Sequence, residues 1–309
     1  MSALLGLAAR SAWSRRFVLA LIVLSIALST FLLLGIERLR QDVRQNFAQA
    51  VSGTDLIVGP RTGAVQLMLY AVFRVGSATN NIGWDSAQAL AAQRQVAWTV
   101  PIALGDSHRG FAVVGTTPAY FTHFRYGERQ SLVLAAGRAF GDGADHVFEA
   151  VIGAEVAERL GYRLGQRLVL SHGDGAFAAN DHADKPFTVV GILARTGTPV
   201  DRSVHIPLSG IEAIHIDWIA GAPMPGAKMS AEAAAAQDLT PRTVTAVLVG
   251  LKSRAAVFSV QRGVRGYGDE PLMAVLPGVA LDELWEVLGA GERALQAVSV
   301  LVAVVSPVA

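Results

Sequence analysis

A run of apolar residues near the amino terminus constrains this chain more than any other feature. Phe17 to Ile36 holds no ionisable side chain in twenty consecutive positions. A helix rises ~1.5 Å per residue, so twenty residues span roughly 30 Å, the thickness of the hydrocarbon layer of a bilayer. The run is longer than the apolar part of a typical signal peptide, and no small-x-small cleavage site follows it. The sequence therefore predicts a transmembrane helix over 17–36 and the lipid bilayer as a partner.

The charges that flank this run do not fix its orientation. Three arginines precede it and three follow it closely: Arg10, Arg15, Arg16, Arg38, Arg40 and Arg44. Because an excess of basic residues on one side sets the topology of a span, this tie leaves the question open. The short leader, residues 1–16, favours a cytoplasmic amino terminus. We therefore expect the bulk of the chain to lie on the opposite side of the membrane.

Composition and motifs argue against several classes of function. Charged residues make up 17% of the chain and the formal net charge is +1, which does not suggest a nucleic-acid partner. There is no cysteine, so disulfides and thiolate metal sites are excluded. The chain has no G-x-S-x-G, and its nearest approach to a phosphate-binding loop, Gly221 to Lys228, lacks the adjacent Gly-Lys pair. The sequence predicts a non-catalytic protein.

Beyond the apolar run the local patterns predict a mixed α+β fold. Apolar residues at three- and four-residue steps continue the helix as a stalk over 37–52. Short apolar runs closed by glycine or proline then indicate strands, and a polar turn over 105–109 separates two of them. The predicted organisation is a membrane-proximal part, an inserted strand-rich part, and a second stalk with an incomplete transmembrane helix: 53–116 with 242–283, 117–241, and 284–309.

The order of these pieces and four short motifs resemble a known family. The motifs are Ser52–Gly59 at the end of the stalk, Glu149–Gly153, Lys185–Leu193 and Thr196–Arg202. They are similar to ABC-transporter permeases of the MacB/FtsX/LolC type, that is, FtsX-like permeases with a MacB-like periplasmic core domain. The resemblance covers essentially the whole chain.

The resemblance implies a membrane subunit that performs no covalent chemistry. Such permeases have four spans, work as homodimers or heterodimers, and sit in the inner membrane with a periplasmic domain. A separate cytoplasmic ABC ATPase closes the spans and so moves that domain, a process called mechanotransmission. Since the sequence holds one complete span and the start of another, we expect it to be the amino-terminal part of such a permease, truncated at its carboxyl end.

One Gly/Ala-rich loop between two predicted strands carries possible metal ligands. Imidazole and carboxylate groups suit zinc or a similar divalent cation. The candidate ligands are His172, Asp174, His182 and Asp184. Two later histidines, His205 and His215, are placed where they could join them in space. The ten-residue spacing of His172 and His182 is not a recognised ligand spacing, so a solvated polar hairpin is the competing interpretation.

Two alternative functions therefore remain beside the permease. One is a membrane-anchored periplasmic adaptor that regulates a partner enzyme. The other is a periplasmic module linked to a divalent metal through the His172–His182 loop. A co-purifying ATPase would favour the permease, a stable partner hydrolase the adaptor, and stabilisation by metal the third hypothesis.

Overall fold

A computed structural model describes most of the chain, and two compact units are distinguished within it. The described residues are 6, 10–11, 13–76, 80–172, 182–219, 222–224, 228–286, 289 and 297. One unit comprises Met1–Gln45 with Glu283–Ala309, and the other comprises Asn46–Asp282. Much of the predicted leader and nearly all of the predicted second span, within 284–309, lie outside the described residues.

The apolar run and most of the predicted stalk form one uninterrupted helix, α1 (Arg16–Gln49), which ends three residues before the predicted end of the stalk at residue 52. Its segment Arg16–Arg38 is long and apolar enough to span a membrane, and it is the one such helix among the described residues. Large apolar side chains on it are exposed, for example Phe17 at 77% and Phe31 at 73%. A continuous apolar surface of this kind is unfavourable in water, so it is suited to lipid.

Shorter helices follow α1 in the described residues of the second unit. They are α2 (Ala64–Ala71), α3 (Trp84–Ala91), α4 (Ala119–His123), α5 (Ala154–Leu160), α6 (Leu208–His215), α7 (Ala231–Ala235) and α8 (Val257–Arg265). Single 3-10 turns form at Ala144–His146, Pro199–Arg202 and Arg254–Ala256, and residues 277–286 are helical. Gly161 ends α5 in the left-handed conformation, with φ at 70°, which glycine adopts without steric cost.

The strands are mostly short. The first nine are β1 (Leu56–Pro60), β2 (Ile82–Gly83), β3 (Val96–Ala103), β4 (Asp106–His108), β5 (Phe111–Thr116), β6 (Arg125–Tyr126), β7 (Gln130–Ser131), β8 (Leu134–Gly137) and β9 (Glu149–Ile152). The others are β10 (Arg167–Leu168), β11 (Ser171–His172), β12 (Phe187–Leu193), β13 (Ser203–Pro207), β14 (Trp218–Ile219), β15 (Ala222–Pro223), β16 (Thr243–Val244), β17 (Ala246–Leu251) and β18 (Leu272–Val275).

Twelve of these strands join into one mixed sheet. Its main order is β10-β12-β9-β13-β5-β3-β17-β1-β18, with β4, β8 and β11 attached at its side. The pairs β12–β9 and β13–β5 are parallel, whereas the other pairs along the main order are antiparallel. In the middle of the main order, β3 and β5 share two register pairs, Ile102 with Thr116 and Ala103 with Gly115.

Two hydrophobic clusters pack against the sheet on either side of that contact. The first core gathers residues of β1, β17 and β18 with α3 and α8, including Leu90, Val249 and Val260. The second core gathers residues of β9, β12 and β13 with α5 and α6, including Phe187 and Ile206. Each fully buried side chain of this size contributes roughly 1.5–3 kcal/mol of hydrophobic stabilisation.

The strands of the predicted membrane-proximal part lie mostly in one half of the main sheet. Strands from 53–116 and 242–283 do lie side by side in the half of the sheet with the first core. Phe111 and Val113, however, pack in the second core, and β5 pairs with β13 over five residues. The boundary near residue 116 stays a prediction.

The polar segment 105–109 is not the simple turn that its composition suggested. Residues 106–108 form β4, which pairs with both β5 and β11, and the turn lies at Arg109 and Gly110, whose φ angles are positive. Polarity was misleading because the polar side chains of Asp106, Ser107 and His108 are buried rather than solvated. The buried ring of His108 reaches the carbonyl oxygen of Val169 at 2.6 Å and the hydroxyl of Tyr162 at 3.0 Å.

Candidate metal centre

Two short strands bring an aspartate and a histidine together from distant parts of the sequence. Asp106 begins β4 and His172 ends β11, and the two residues are direct partners in the antiparallel register. His172 Nδ1 lies 3.1 Å from Asp106 Oδ1. The Asp106 side chain is nearly buried, at 3% exposure, whereas that of His172 is 37% exposed. The pairing of β4 with β11 therefore builds the first half of a polar cluster.

The other two members come from α6 and from the start of the segment that leads into β12. His215 is the last residue of α6. His182 is fixed by its backbone N–H, which donates to the carbonyl oxygen of Leu170 at 2.8 Å, beside β11. One ligand atom from each of Asp106, His172, His182 and His215 lies within 4.8 Å of every other. We refer to these four residues as the histidine cluster.

Three of the donor atoms form a nearly regular triangle. Besides the 3.1 Å edge between Asp106 and His172, His215 Nε2 lies 3.3 Å from His172 Nδ1 and 3.5 Å from Asp106 Oδ1. A protonated His215 can donate one hydrogen bond from Nε2, but it cannot satisfy both neighbours at once. It can donate to Asp106 Oδ1, to which His172 can also donate from Nδ1, so the three atoms can either be bridged by protons or present lone pairs to a cation.

The tautomer of His215 follows from its second nitrogen. Nδ1 lies 2.9 Å from the carbonyl oxygen of Ile211, one helical turn earlier. A carbonyl oxygen can only accept, so Nδ1 carries the proton and a neutral His215 presents the lone pair of Nε2 to the cluster. A backbone carbonyl that orients a histidine in this way is the usual outer partner of a metal-binding imidazole.

His182 is the least satisfied member of the cluster. It is 1% exposed, and among the described residues neither of its ring nitrogens has a hydrogen-bond partner. Its ring packs 4.5 Å from that of Trp218 and 4.9 Å from that of His215, measured between centroids. A buried imidazole without a partner costs free energy, which calls for a ligand or a proton acceptor at this position.

Burial and mutual charge set the protonation of the cluster. Burial by itself would raise the pKa of Asp106, but hydrogen bonds from His172 and His215 together with nearby positive charge lower it to about 2. Burial, reinforced by the charge of His215, lowers the pKa of His182 to about 4. Burial opposes protonation of His215 too, yet the Asp106 carboxylate raises its pKa. At neutral pH the cluster thus holds an ionised carboxylate and a neutral His182.

A buried ion pair forms at Lys185, three residues after His182 in the chain. Lys185 is fully buried, and its Nζ donates to Asp217 Oδ2 at 2.8 Å and to Asp184 Oδ2 at 2.9 Å. Asp217 Oδ2 also accepts from the backbone N–H of Met229 at 3.0 Å. The pair joins the His182–Lys185 segment to the residues next to His215 and Trp218, and it holds two sides of the histidine cluster together.

A cavity of about 570 Å³ opens beside the cluster. Asp106, His172 and His215 line it, together with Trp218 and with charged residues such as Arg242. His182 does not line it. The cavity gives a small hydrated ion a path from solvent to three of the four members.

The sequence predicted half of this cluster. His172 and His182 are brought together with His215, which had been named as a possible further member. Asp174 lies outside the described residues, and Asp184 is engaged with Lys185 instead. His205 lies elsewhere, buried in β13 with Nδ1 3.3 Å from the carbonyl oxygen of Val151. Asp106 was missed, because only the pairing of β4 with β11 brings it to the histidines.

The chain matches one protein family over most of its length. The family model for the MacB-like periplasmic core domain matches residues 19–267, from within α1 to just beyond α8. The chain belongs to this family. It therefore carries the MacB-like periplasmic core domain of the MacB/FtsX-type ABC permeases, and the predicted mixed α+β fold behind an amino-terminal apolar helix is confirmed. The domain that defines this family is a component of transporter permeases.

Two solved structures are similar to this chain. The periplasmic region of MacB from Actinobacillus actinomycetemcomitans has 12% identity and a TM-score of 0.45, over 76% of this chain and 94% of that one. The extracellular domain of the noncanonic ABC-type transporter YknZ from Gram-positive bacteria has 13% identity and a TM-score of 0.41, over 72% of this chain and 98% of that one. No curated protein sequence matches the chain.

Proposed function

We propose that the chain acts as the permease component of a MacB-type ABC transporter. In this proposal a separate cytoplasmic ATPase drives the movement of the extracytoplasmic domain, and the chain itself performs no catalysis. The observation that carries it is the family match over 19–267, since this match includes both the apolar part of α1 and nearly all of the 46–282 unit. The helix and the domain are thus parts of one family module.

The proposed topology places the amino terminus in the cytoplasm and the Asn46–Asp282 unit on the outer side of the inner membrane. The apolar segment Arg16–Arg38 supplies the anchor. The lack of a phosphate-binding loop in this sequence supports ATP hydrolysis by another polypeptide. Assembly as a homodimer or heterodimer of permeases belongs to the same proposal, and the substrate for export or extraction is unassigned.

The topology can be tested with single cysteines because the chain has none of its own. Ala91→Cys lies at an exposed position at the end of α3, and Ser11→Cys lies before α1. A membrane-impermeant maleimide applied to intact spheroplasts should label Ala91→Cys, and it should label Ser11→Cys only after permeabilisation. The reverse pattern would refute the proposed orientation, and labelling of both in intact spheroplasts would refute the membrane anchor.

Coupling to an ATPase needs a separate experiment. The protein would be purified from native membranes in mild detergent, and any ABC ATPase that co-purifies would be assayed in nanodiscs with and without it. We expect ATP hydrolysis to depend on the presence of the permease. A stable complex with a cell-wall hydrolase and without an ATPase would instead support the adaptor hypothesis, and transport would be abandoned.

A further inference from the structure

We propose that Asp106, His172, His182 and His215 form a binding site for a divalent cation of the zinc class. The site lies within the 46–282 unit and does not depend on the transport function proposed above. Three imidazoles and one carboxylate are a donor set that suits zinc and its neighbours, whereas calcium and magnesium prefer sites made entirely of oxygen. The choice of donors therefore selects the class of ion.

The spacing of the donors matches tetrahedral coordination. With bonds of about 2.0–2.1 Å to zinc, two ligand atoms of a tetrahedron lie about 3.3–3.4 Å apart. The three measured edges among Asp106 Oδ1, His172 Nδ1 and His215 Nε2 are 3.1, 3.3 and 3.5 Å. These three atoms already form one face of such a tetrahedron. His182 offers its donor within 4.8 Å of each of them and can complete the fourth corner after a small side-chain movement.

His182 supplies the independent observation that points to a ligand. A buried imidazole in a purely structural role would donate from one nitrogen and accept at the other. Both nitrogens of His182 lack partners among the described residues although the side chain is 1% exposed. Coordination of a cation would satisfy one of them and remove the unfavourable isolation of a buried polar group.

The groups around the cluster are suited to hold the ligands in place. The carbonyl oxygen of Ile211 directs Nε2 of His215 inward. The ion pair of Lys185 with Asp217 joins the chain segment that carries His182 to the segment that carries Trp218. Residues that orient ligands in this way make a site more rigid and its affinity higher. The neighbouring cavity of about 570 Å³ provides the entry path that a metal site requires.

The competing interpretation is a metal-free hydrogen-bonded cluster. In that case a protonated His215 would be shared between His172 and Asp106, and His182 would remain without a partner. Zinc would then bind weakly, without fixed stoichiometry, through whichever histidines are accessible. The two interpretations differ in whether one specific set of four residues controls affinity.

Zinc titration of the full chain in detergent would test the proposal. The protein would carry a tag without histidine, be stripped with EDTA and dialysed, and then be titrated with zinc chloride by calorimetry. We expect one Zn²⁺ per chain, and an increase in the unfolding temperature at saturation. Cobalt(II) should give the strong visible absorption of a tetrahedral site, and zinc should displace it.

Three variants separate the site from nonspecific binding. Asp106→Asn and His172→Gln each remove one ligand, and we expect the affinity for Zn²⁺ to fall by at least ~100-fold. His123→Gln is the matched control, since His123 stacks on Trp98 outside the cluster. Its affinity for Zn²⁺ should lie within twofold of that of the parent chain. Melting curves in EDTA identify variants that fail to fold, and His172→Gln, the most exposed position, is the variant expected to tolerate substitution.

The proposal would be overturned by either of two results. One is a parent chain that binds no stoichiometric Zn²⁺ and gains no thermal stability. The other is a folded His172→Gln variant whose affinity and cobalt spectrum equal those of His123→Gln.

Discussion

Replacing Lys185 should destabilise the domain far more than replacing Asp184, the more exposed of its two carboxylate partners. Lys185 Nζ contacts Asp217 and Asp184 at nearly the same distance, 2.8 and 2.9 Å. The side chain of Asp217 is 6% exposed and that of Asp184 is 34% exposed. Lys185→Met would leave Asp217 as an uncompensated buried charge, which typically costs about 3–5 kcal/mol. Asp184→Asn breaks a contact that water already screens, and should cost at most about 1 kcal/mol.

The free energy of unfolding can be measured by urea denaturation of the full chain in detergent, followed by tryptophan fluorescence. EDTA is present throughout, so that any bound metal does not add to the difference. Lys185→Met/Asp217→Asn provides a further check, because it removes the buried charge but keeps an oxygen for the N–H of Met229. We expect the double variant to be more stable than Lys185→Met.

The reasoning would be refuted if Lys185→Met and Asp184→Asn differed by less than about 1 kcal/mol in their free energies of unfolding. Equal costs would mean that burial does not distinguish the two contacts. A double variant as unstable as Lys185→Met would show that lost packing of the lysine stem, rather than the isolated charge of Asp217, dominates.

Substitution of Gly153, with Gly268 as its control, tests close packing, and substitution of His205 tests the pH dependence of stability. A Cβ on Gly153 would overlap the backbone oxygens of Val200 and Asp201, so Gly153→Ala should cost about 1–3 kcal/mol in urea denaturation. Gly268→Ala, with open space around it, should cost less than about 0.5 kcal/mol, and equal effects would contradict the clash. Burial, aided by the charge of Arg74, lowers the pKa of His205 to about 3, so the unfolded chain takes up this proton first as the pH falls. Stability from this group is complete above about pH 6.5 and is lost toward pH 3 by up to about 1.4 kcal/mol per unit. His205→Gln should therefore lose less stability than the parent between pH 6.5 and 5. If the free energies of unfolding of the two proteins changed in parallel with pH, His205 would not have the lowered pKa.

Much of the fold could be predicted from the sequence because its signals are local. Short apolar runs closed by glycine or proline indicated strands, and β1 and β13 do end at Pro60 and Pro207. Helix α6 was not predicted, because its buried face is short and two glycine or proline residues lie at its start. The apolar run of α1 was the clearest signal and led to the family.

The candidate site was only half predictable, for a different reason. Histidines in a polar loop draw attention as possible ligands, so His172 and His182 were found. Asp106 is 66 residues away from His172, and its place in the cluster depends on the register of β4 against β11. Asp184 has the right chemistry and the right neighbourhood in sequence, but it is turned toward Lys185. Local composition contains no information about either outcome.

The short contact between β3 and β5 has a consequence for how the domain opens. The pairs Ile102–Thr116 and Ala103–Gly115 connect β3 to β5 where the main sheet passes from one core to the other, and Ile211 is a side chain that packs against both cores. Backbone amides on the two sides should then belong to separate cooperative opening units, each with its own protection factor. Native-state hydrogen exchange would show this as two groups of amides with different opening free energies, whereas one common value would mean that the sheet opens as a whole.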